Sequence, residues 1–247
     1  MSTSHDPERP ADGEPVDAEI HHSHRDVTGG WLRPAVFGVM DGLVSNVSLI
    51  AGVAGGGVSA HTVTLTGLAG LVAGAVSMAT GEYTSVSSQT ELTRQEISVE
   101  QREIHRSPDA EMRELAELYE SRGVEPAVAR TVAEQLSANP DQAWRVHARE
   151  ELGVDPDDLP SPWTAAASSF CAFTVGAFVP LLPYLLGASS FLIAAILSAV
   201  GLFVTGAVTA RFTNRSWIYS GTRQLLLGGF AAAATYGIGR AVGAGVG

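Results

Sequence analysis

"AGAVSMATGEYTSVSSQTE", residues 73–91, opens as a segment made for lipid and closes as one made for water. Its first part is small and apolar, its last part is Ser, Thr, Gln and Glu, and between them stand Met78, Gly81 and Glu82. No proline and no cluster of turn residues separates the two parts. The stretch reads as one helix that leaves a bilayer and runs on into a hydrated segment.

The charges are laid out to match. Of 26 acidic residues, seven lie in residues 1–30 and eighteen in residues 82–158. That leaves Asp41 alone for the rest of the chain. All fifteen basic side chains are arginine. A water-soluble domain scatters carboxylates over its whole surface. Here three blocks, residues 33–81, 163–210 and 217–244, are nearly free of charge and rich in Gly, Ala, Leu and Val. They exceed the ~20 apolar residues that cross a hydrocarbon layer. The sequence therefore predicts an all-α integral membrane protein: five transmembrane helices with a cytoplasmic helical insert between the second and third.

The expected divisions are a disordered acidic tail over 1–30, transmembrane helices 1–2 over 31–82, the insert over 83–160 and transmembrane helices 3–5 over 161–247. The tail carries His5, His21, His22 and His24, a cluster read as solvated. Spans are expected at about 34–52, 62–78, 163–186, 189–210 and 216–242. Arg33, Arg211, Arg215 and Arg223 flank one set of span ends, whereas the connections 53–61 and 187–190 hold no arginine. By the excess of positive charge on cytoplasmic loops, the N-terminus and the insert face the cytoplasm. With no organelle address and an all-arginine composition, the expected location is the plasma membrane.

Within the insert, the second span continues as a polar extension to about residue 106. Ser107 is expected to cap a helix beginning at Pro108, and Gly123 to end it. Two more helices, over about 125–138 and from Asn139-Pro140 to Gly153, complete it. Cys171, the only cysteine, excludes an intrachain disulfide and reads as inert packing.

Asp41 is the first candidate for chemistry. A carboxylate within the membrane costs at least ~2.5–3.5 kcal/mol on insertion scales, and such residues mark ion or proton paths. Ser45 at i+4 and nearby Asn46 offer further oxygen ligands. Met78 alone would be packing, but beside Ser77, Thr80 and Glu82 it adds a soft thioether, a donor set suited to a borderline ion such as Fe²⁺. Gly70 and Gly74 form a small-xxx-small pair for close helix approach, within a subunit or across a dimer. Pro180 and Pro183 are expected to break the third span locally.

The insert adds Glu100 and Glu103, and Glu111 and Glu114, each pair on one helical face at i, i+3. His147 and Glu151 share a face at i, i+4. If these helices pack together, the six side chains make a site for a first-row metal. Glu96, Glu117, Glu120 and Glu134 read as an ordinary solvated face.

Four segments, "DGLVSNVSLIAGVAG", "AVSMATGEYTSVSSQTEL", "EELGV" and "FTVGAFVPLLPYLL", resemble the vacuolar iron transporter family in the same order, over about residues 31–244. The resemblance implies a homodimer of five-helix subunits whose second helix extends into a cytoplasmic metal-binding domain. It implies export of Fe²⁺, and often Mn²⁺, from the cytoplasm by proton exchange, for metal homeostasis and detoxification. Co²⁺ and Zn²⁺ are further candidates. The family's intramembrane aspartate and methionine match Asp41 and Met78, and the glutamate of its "GEY" motif matches Glu82. Its two Glu-x-x-Glu pairs match Glu100/Glu103 and Glu111/Glu114, and its last glutamate matches Glu151. Where the family has a Met pair, this chain has His147 and Ala148.

The partners implied are divalent ions, protons and the bilayer, with no prosthetic group and no enzymatic activity. An acidic insert excludes nucleic acid, whose phosphates it would repel. Two alternatives are a membrane-anchored metal sensor and a di-iron carboxylate oxidase. Against the second, the insert holds no Glu-x-x-His, the spacing such bundle sites use.

Overall fold

The computed structural model describes residues 30–213 and 215–246. The tail read over 1–30, with its four histidines, lies outside the described residues except for Gly30. Eight helices follow in order: α1 (Leu32–Gly55), α2 (Ala60–Arg106), α3 (Pro108–Ser121), α4 (Pro126–Ser137), α5 (Pro140–Glu150), α6 (Pro162–Leu185), α7 (Phe191–Thr213) and α8 (Trp217–Val246). No strand occurs among the described residues. Five helices, α1, α2, α6, α7 and α8, are long and apolar enough to cross a membrane. Their outer faces are greasy: Ile196, Val200, Val204 and Val208 of α7 and Leu226, Leu227 and Phe230 of α8 are all more than half exposed. Water would penalise that surface; lipid does not.

The quoted stretch is one uninterrupted helix. α2 runs for 47 residues without a proline, and Thr80 and Thr84 return their hydroxyls to the carbonyls of Val76 and Thr80. Its polar half is the first helix of the insert, and α3, α4 and α5 are the others. The chain enters and leaves the insert at one root. There the rings of Tyr83 and Trp163 lie 4.8 Å apart, and Thr90 Oγ1 donates to the Pro160 carbonyl.

α1 and α6 form the centre of the bundle, with α2, α7 and α8 packed around them. Two glycines permit the crossing. A methyl group on Gly42 would overlap the Phe173 carbonyl oxygen, and one on Gly176 would overlap that of Val39. The backbones touch, and Leu43, Val47, Ile50, Ala177 and Leu181 are almost wholly buried around that contact.

Several expectations need correction. α6 runs unbroken to Leu185 through Pro180 and Pro183. Each proline removes one ladder hydrogen bond, but both are buried, in the last two turns, where the packing of α1, α2 and α7 holds the helix in line. Cys171 is exposed rather than packed inside. Ser107 stands before Pro108 without a side-chain cap; its backbone carbonyl accepts from Ala110 and Glu111 instead. Asn139 does cap α5, accepting from the Asp141 N–H at 3.0 Å. Gly123, at φ +93°, takes the left-handed conformation that closes α3.

Candidate functional site

Two sites lie along α2. The first is a cavity of about 270 Å³ between α1, α2 and α6. Helical spacing on α1 turns Asp41, Ser45 and Asn46 towards it, and α2 contributes Gly70, Gly74, Ser77 and Met78. The two glycines make the space: a methyl group on Gly70 would come 3.0 Å from Asn46 Oδ1, and one on Gly74 would strike the Phe173 ring. The small-xxx-small pair thus serves packing within one subunit.

Ser45 Oγ donates to Asp41 Oδ1 at 2.8 Å, and among the described residues no ion pair joins Asp41 to Arg33. Asn46 is 2% exposed. Its Nδ2 donates to the Ala177 carbonyl at 2.6 Å, which fixes the amide and leaves Oδ1 buried without a partner. A buried acceptor left unmade costs about 1–3 kcal/mol, and a cation would satisfy it. A carboxylate, a hydroxyl, an amide oxygen and a thioether together suit a borderline divalent ion better than Na⁺ or Mg²⁺.

Glu82 is not among the residues lining this cavity; Met78 is the last contribution of α2. Sequence reasoning missed the walls, Phe37 and Phe173, because what faces a glycine across a bundle leaves no local mark.

The second site lies in the insert. Pro108 turns the chain back from α2 into α3, and α5, whose Ala143 and Ala148 are buried, packs against α2 and α4. His147 of α5 takes the centre. His147 is fully buried, with Nδ1 2.8 Å from Glu151 Oε1, 3.1 Å from Glu100 Oε1 and 3.9 Å from Glu111 Oε2. Two overlapping triplets bring their ligand atoms within 4.8 Å of one another: Glu100, His147 and Glu151, and Glu100, Glu103 and Glu111. Glu114 joins neither triplet. Glu96, Glu117, Glu120 and Glu134 are exposed, as a solvated face should be.

The electrostatics follow from burial. Desolvation first, then the charges of Glu100 and Glu114, raise the Glu111 pKa to about 7. The Glu114 carboxyl is also raised, chiefly by the negative charge of Glu151. Burial presses the His147 pKa down, but hydrogen bonding to Glu100 and Glu151 and their charges overcome it and lift it to about 9. Its Nε2 stays buried and unpartnered. The imidazole thus stands at the centre of a ring of carboxylate oxygens, where a divalent cation would satisfy the same charges.

A pH prediction follows. Both groups bind protons more tightly folded than unfolded, so folding stability falls as pH rises. The Glu111 contribution is lost between about 4.5 and 7, that of His147 between 6.5 and about 9. Each is at most about 3 kcal/mol, and being coupled they do not simply add. Metal-free protein in detergent should show a melting midpoint that drops from pH 5 to 9, and a saturating divalent ion should flatten the slope. A midpoint that climbs over that range contradicts the assignment.

The VIT family model matches residues 32–240. The chain is 37% identical over 232 residues to a vacuolar iron transporter of Acanthamoeba castellanii, covering 91% of this chain and 83% of that protein. It is 34% identical over 227 residues to vacuolar iron transporter 1 of Oryza sativa subsp. japonica, and 32% identical over 227 residues to that of Arabidopsis thaliana, with 90% of each chain covered in both cases. These names, which place the relatives at a vacuole, overturn the plasma-membrane location expected from the sequence. The expectation rested on weak ground: a span of ~20 residues fits membranes of either kind, and arginine usage encodes no address.

Proposed function

The chain belongs to the VIT family, and on that premise we propose that it moves divalent iron out of the cytoplasm across a vacuolar membrane in exchange for protons. Relatives named vacuolar iron transporters support iron as cargo; the oxygen-and-thioether donor set suits Mn²⁺ as a second. The observation that carries the reading is the α1–α2 cavity, where the only carboxylate of the spans and an orphaned amide oxygen stand beside Met78.

In this reading the insert, residues 83–160, hangs in the cytoplasm. Glu100, Glu103, Glu111, His147 and Glu151 bind the arriving ion, which displaces the proton on His147 Nδ1. Glu114 adds to the field that draws the cation in, and Glu82 lines the approach at the foot of the span. The ion then enters the cavity, where Asp41 supplies charge, Ser45 and Asn46 oxygen, and Met78 a soft contact. Exchange against protons on the far side is read as driving release there. The assembly is read as a homodimer, with no prosthetic group.

Purified protein in vesicles with an interior pH dye tests this. Fe²⁺ uptake should be saturable and coupled to proton movement in the opposite direction, with Mn²⁺ following and Co²⁺ and Zn²⁺ as comparisons. Metal binding without uptake would make the chain a sensor. Stoichiometric oxygen consumption on Fe²⁺ addition would make it an oxidase.

A further inference from the structure

At the end of the bundle shared with the insert, α7 and α8 enclose a groove of about 750 Å³. Its walls include Phe203, Val204, Val208 and Trp217, and its rim carries Arg211 and Arg215. Val204, Val208 and Trp217 are each more than half exposed. α7 and α8 approach closely beside it: a methyl group on Gly206 would come within 2.6 Å of the Ser220 carbonyl oxygen, and Phe203 meets Trp217 edge to face with centroids 6.0 Å apart.

Among the described residues no carboxylate pairs with the rim. No acidic residue follows Asp158 in the sequence. Every ion pair among the described residues lies within the insert or the linker that follows it, and the insert packs on α2 rather than on this hairpin. Two guanidinium groups thus stand at the level where a span ends, above an apolar trough open to the membrane and beside an interfacial tryptophan. The combination fits a molecule with an anionic head and a hydrocarbon tail. Guanidinium forks match phosphate oxygens, and basic pockets at the ends of spanning helices select anionic headgroups.

We propose that this groove binds one anionic phospholipid per chain, its phosphate between Arg211 and Arg215 and an acyl chain along Val204, Val208 and the Phe203–Trp217 pair. Neither arginine belongs to the metal path, so the site is separate from the transport reading and survives its failure.

The test is native mass spectrometry of the full chain, extracted in mild detergent from membranes with equal amounts of phosphatidylglycerol and phosphatidylcholine. At ~1 kcal/mol for each arginine, the wild type should retain phosphatidylglycerol about thirtyfold over phosphatidylcholine. An Arg211→Gln/Arg215→Gln pair should retain both equally, and an Arg211→Lys/Arg215→Lys pair should keep most of the preference. Equal preference in the wild type and the glutamine pair overturns the site. So does displacement of the lipid by inorganic phosphate, which would make it a simple anion site. Displacement by a peptide of residues 1–28 overturns it too, assigning the groove to the chain's own acidic segment.

Discussion

Asp41→Ala should lower Fe²⁺ flux into proteoliposomes at least about a hundredfold while the protein still folds. Asp41 is the sole negative charge among the spans; without it the cavity offers a divalent ion only neutral donors. At an effective dielectric of about 20, unit charges ~4 Å apart attract by roughly 4 kcal/mol. Losing even 3 kcal/mol of that slows passage about a hundredfold. Folding should survive because Asp41 is only half-buried, with Ser45 its one side-chain hydrogen-bond partner. The replacement also removes a charge whose insertion costs ~2.5–3.5 kcal/mol. Asp41→Asn is the sharper variant, since it keeps the shape and one oxygen. If it transports like wild type, the charge has no part in the path.

Gly176→Ala should be among the most destabilising single methyls in the bundle, dropping the melting midpoint in detergent by about 10 °C or preventing assembly. The added methyl would overlap the Val39 carbonyl oxygen and lie 2.9 Å from the Leu43 nitrogen. Those atoms are backbone of the central helix and cannot rotate away. Overpacking against side chains already costs 1–3 kcal/mol; here α1 and α6 must move apart and loosen Leu43, Val47 and Leu181. Gly81→Ala is the matched control. Nothing lies within 4 Å of that position, so a better helix former there should stabilise by up to ~1 kcal/mol. Equal melting of the two variants would mean that α1 and α6 do not cross at these glycines.

The sequence announced what is local. Charge-free blocks give five spans because the bilayer reads composition over ~20 residues, and the lack of a stop signal after Met78 gives α2 its length. Spacing of i, i+3 and i, i+4 put Glu100, Glu111, His147 and Glu151 on usable faces. What depends on distant partners was hidden. That Glu82 leaves the cavity and that Phe173 walls it are decided by where α6 crosses. Glu111 comes beside Glu100 of α2 and His147 of α5, more than 30 positions away, only once the insert has folded. Pro180 and Pro183 stay in register because neighbours hold them, which no window around a proline can reveal.

On the ion path proposed above, the length of α2 sets a limit on speed. Met78 and Glu100 lie on one stiff rod, about 33 Å apart at ~1.5 Å per residue, so no single coordination sphere can span collector and gate. An ion must dissociate fully from the first before the second can hold it. With electrostatically assisted capture near ~10⁹ M⁻¹ s⁻¹, a nanomolar collector lets go on the order of once a second, a micromolar one about a thousand times. Tight scavenging and rapid throughput are therefore opposed, and the imidazolium within the collector shifts the balance towards throughput by making every incoming ion compete with a proton.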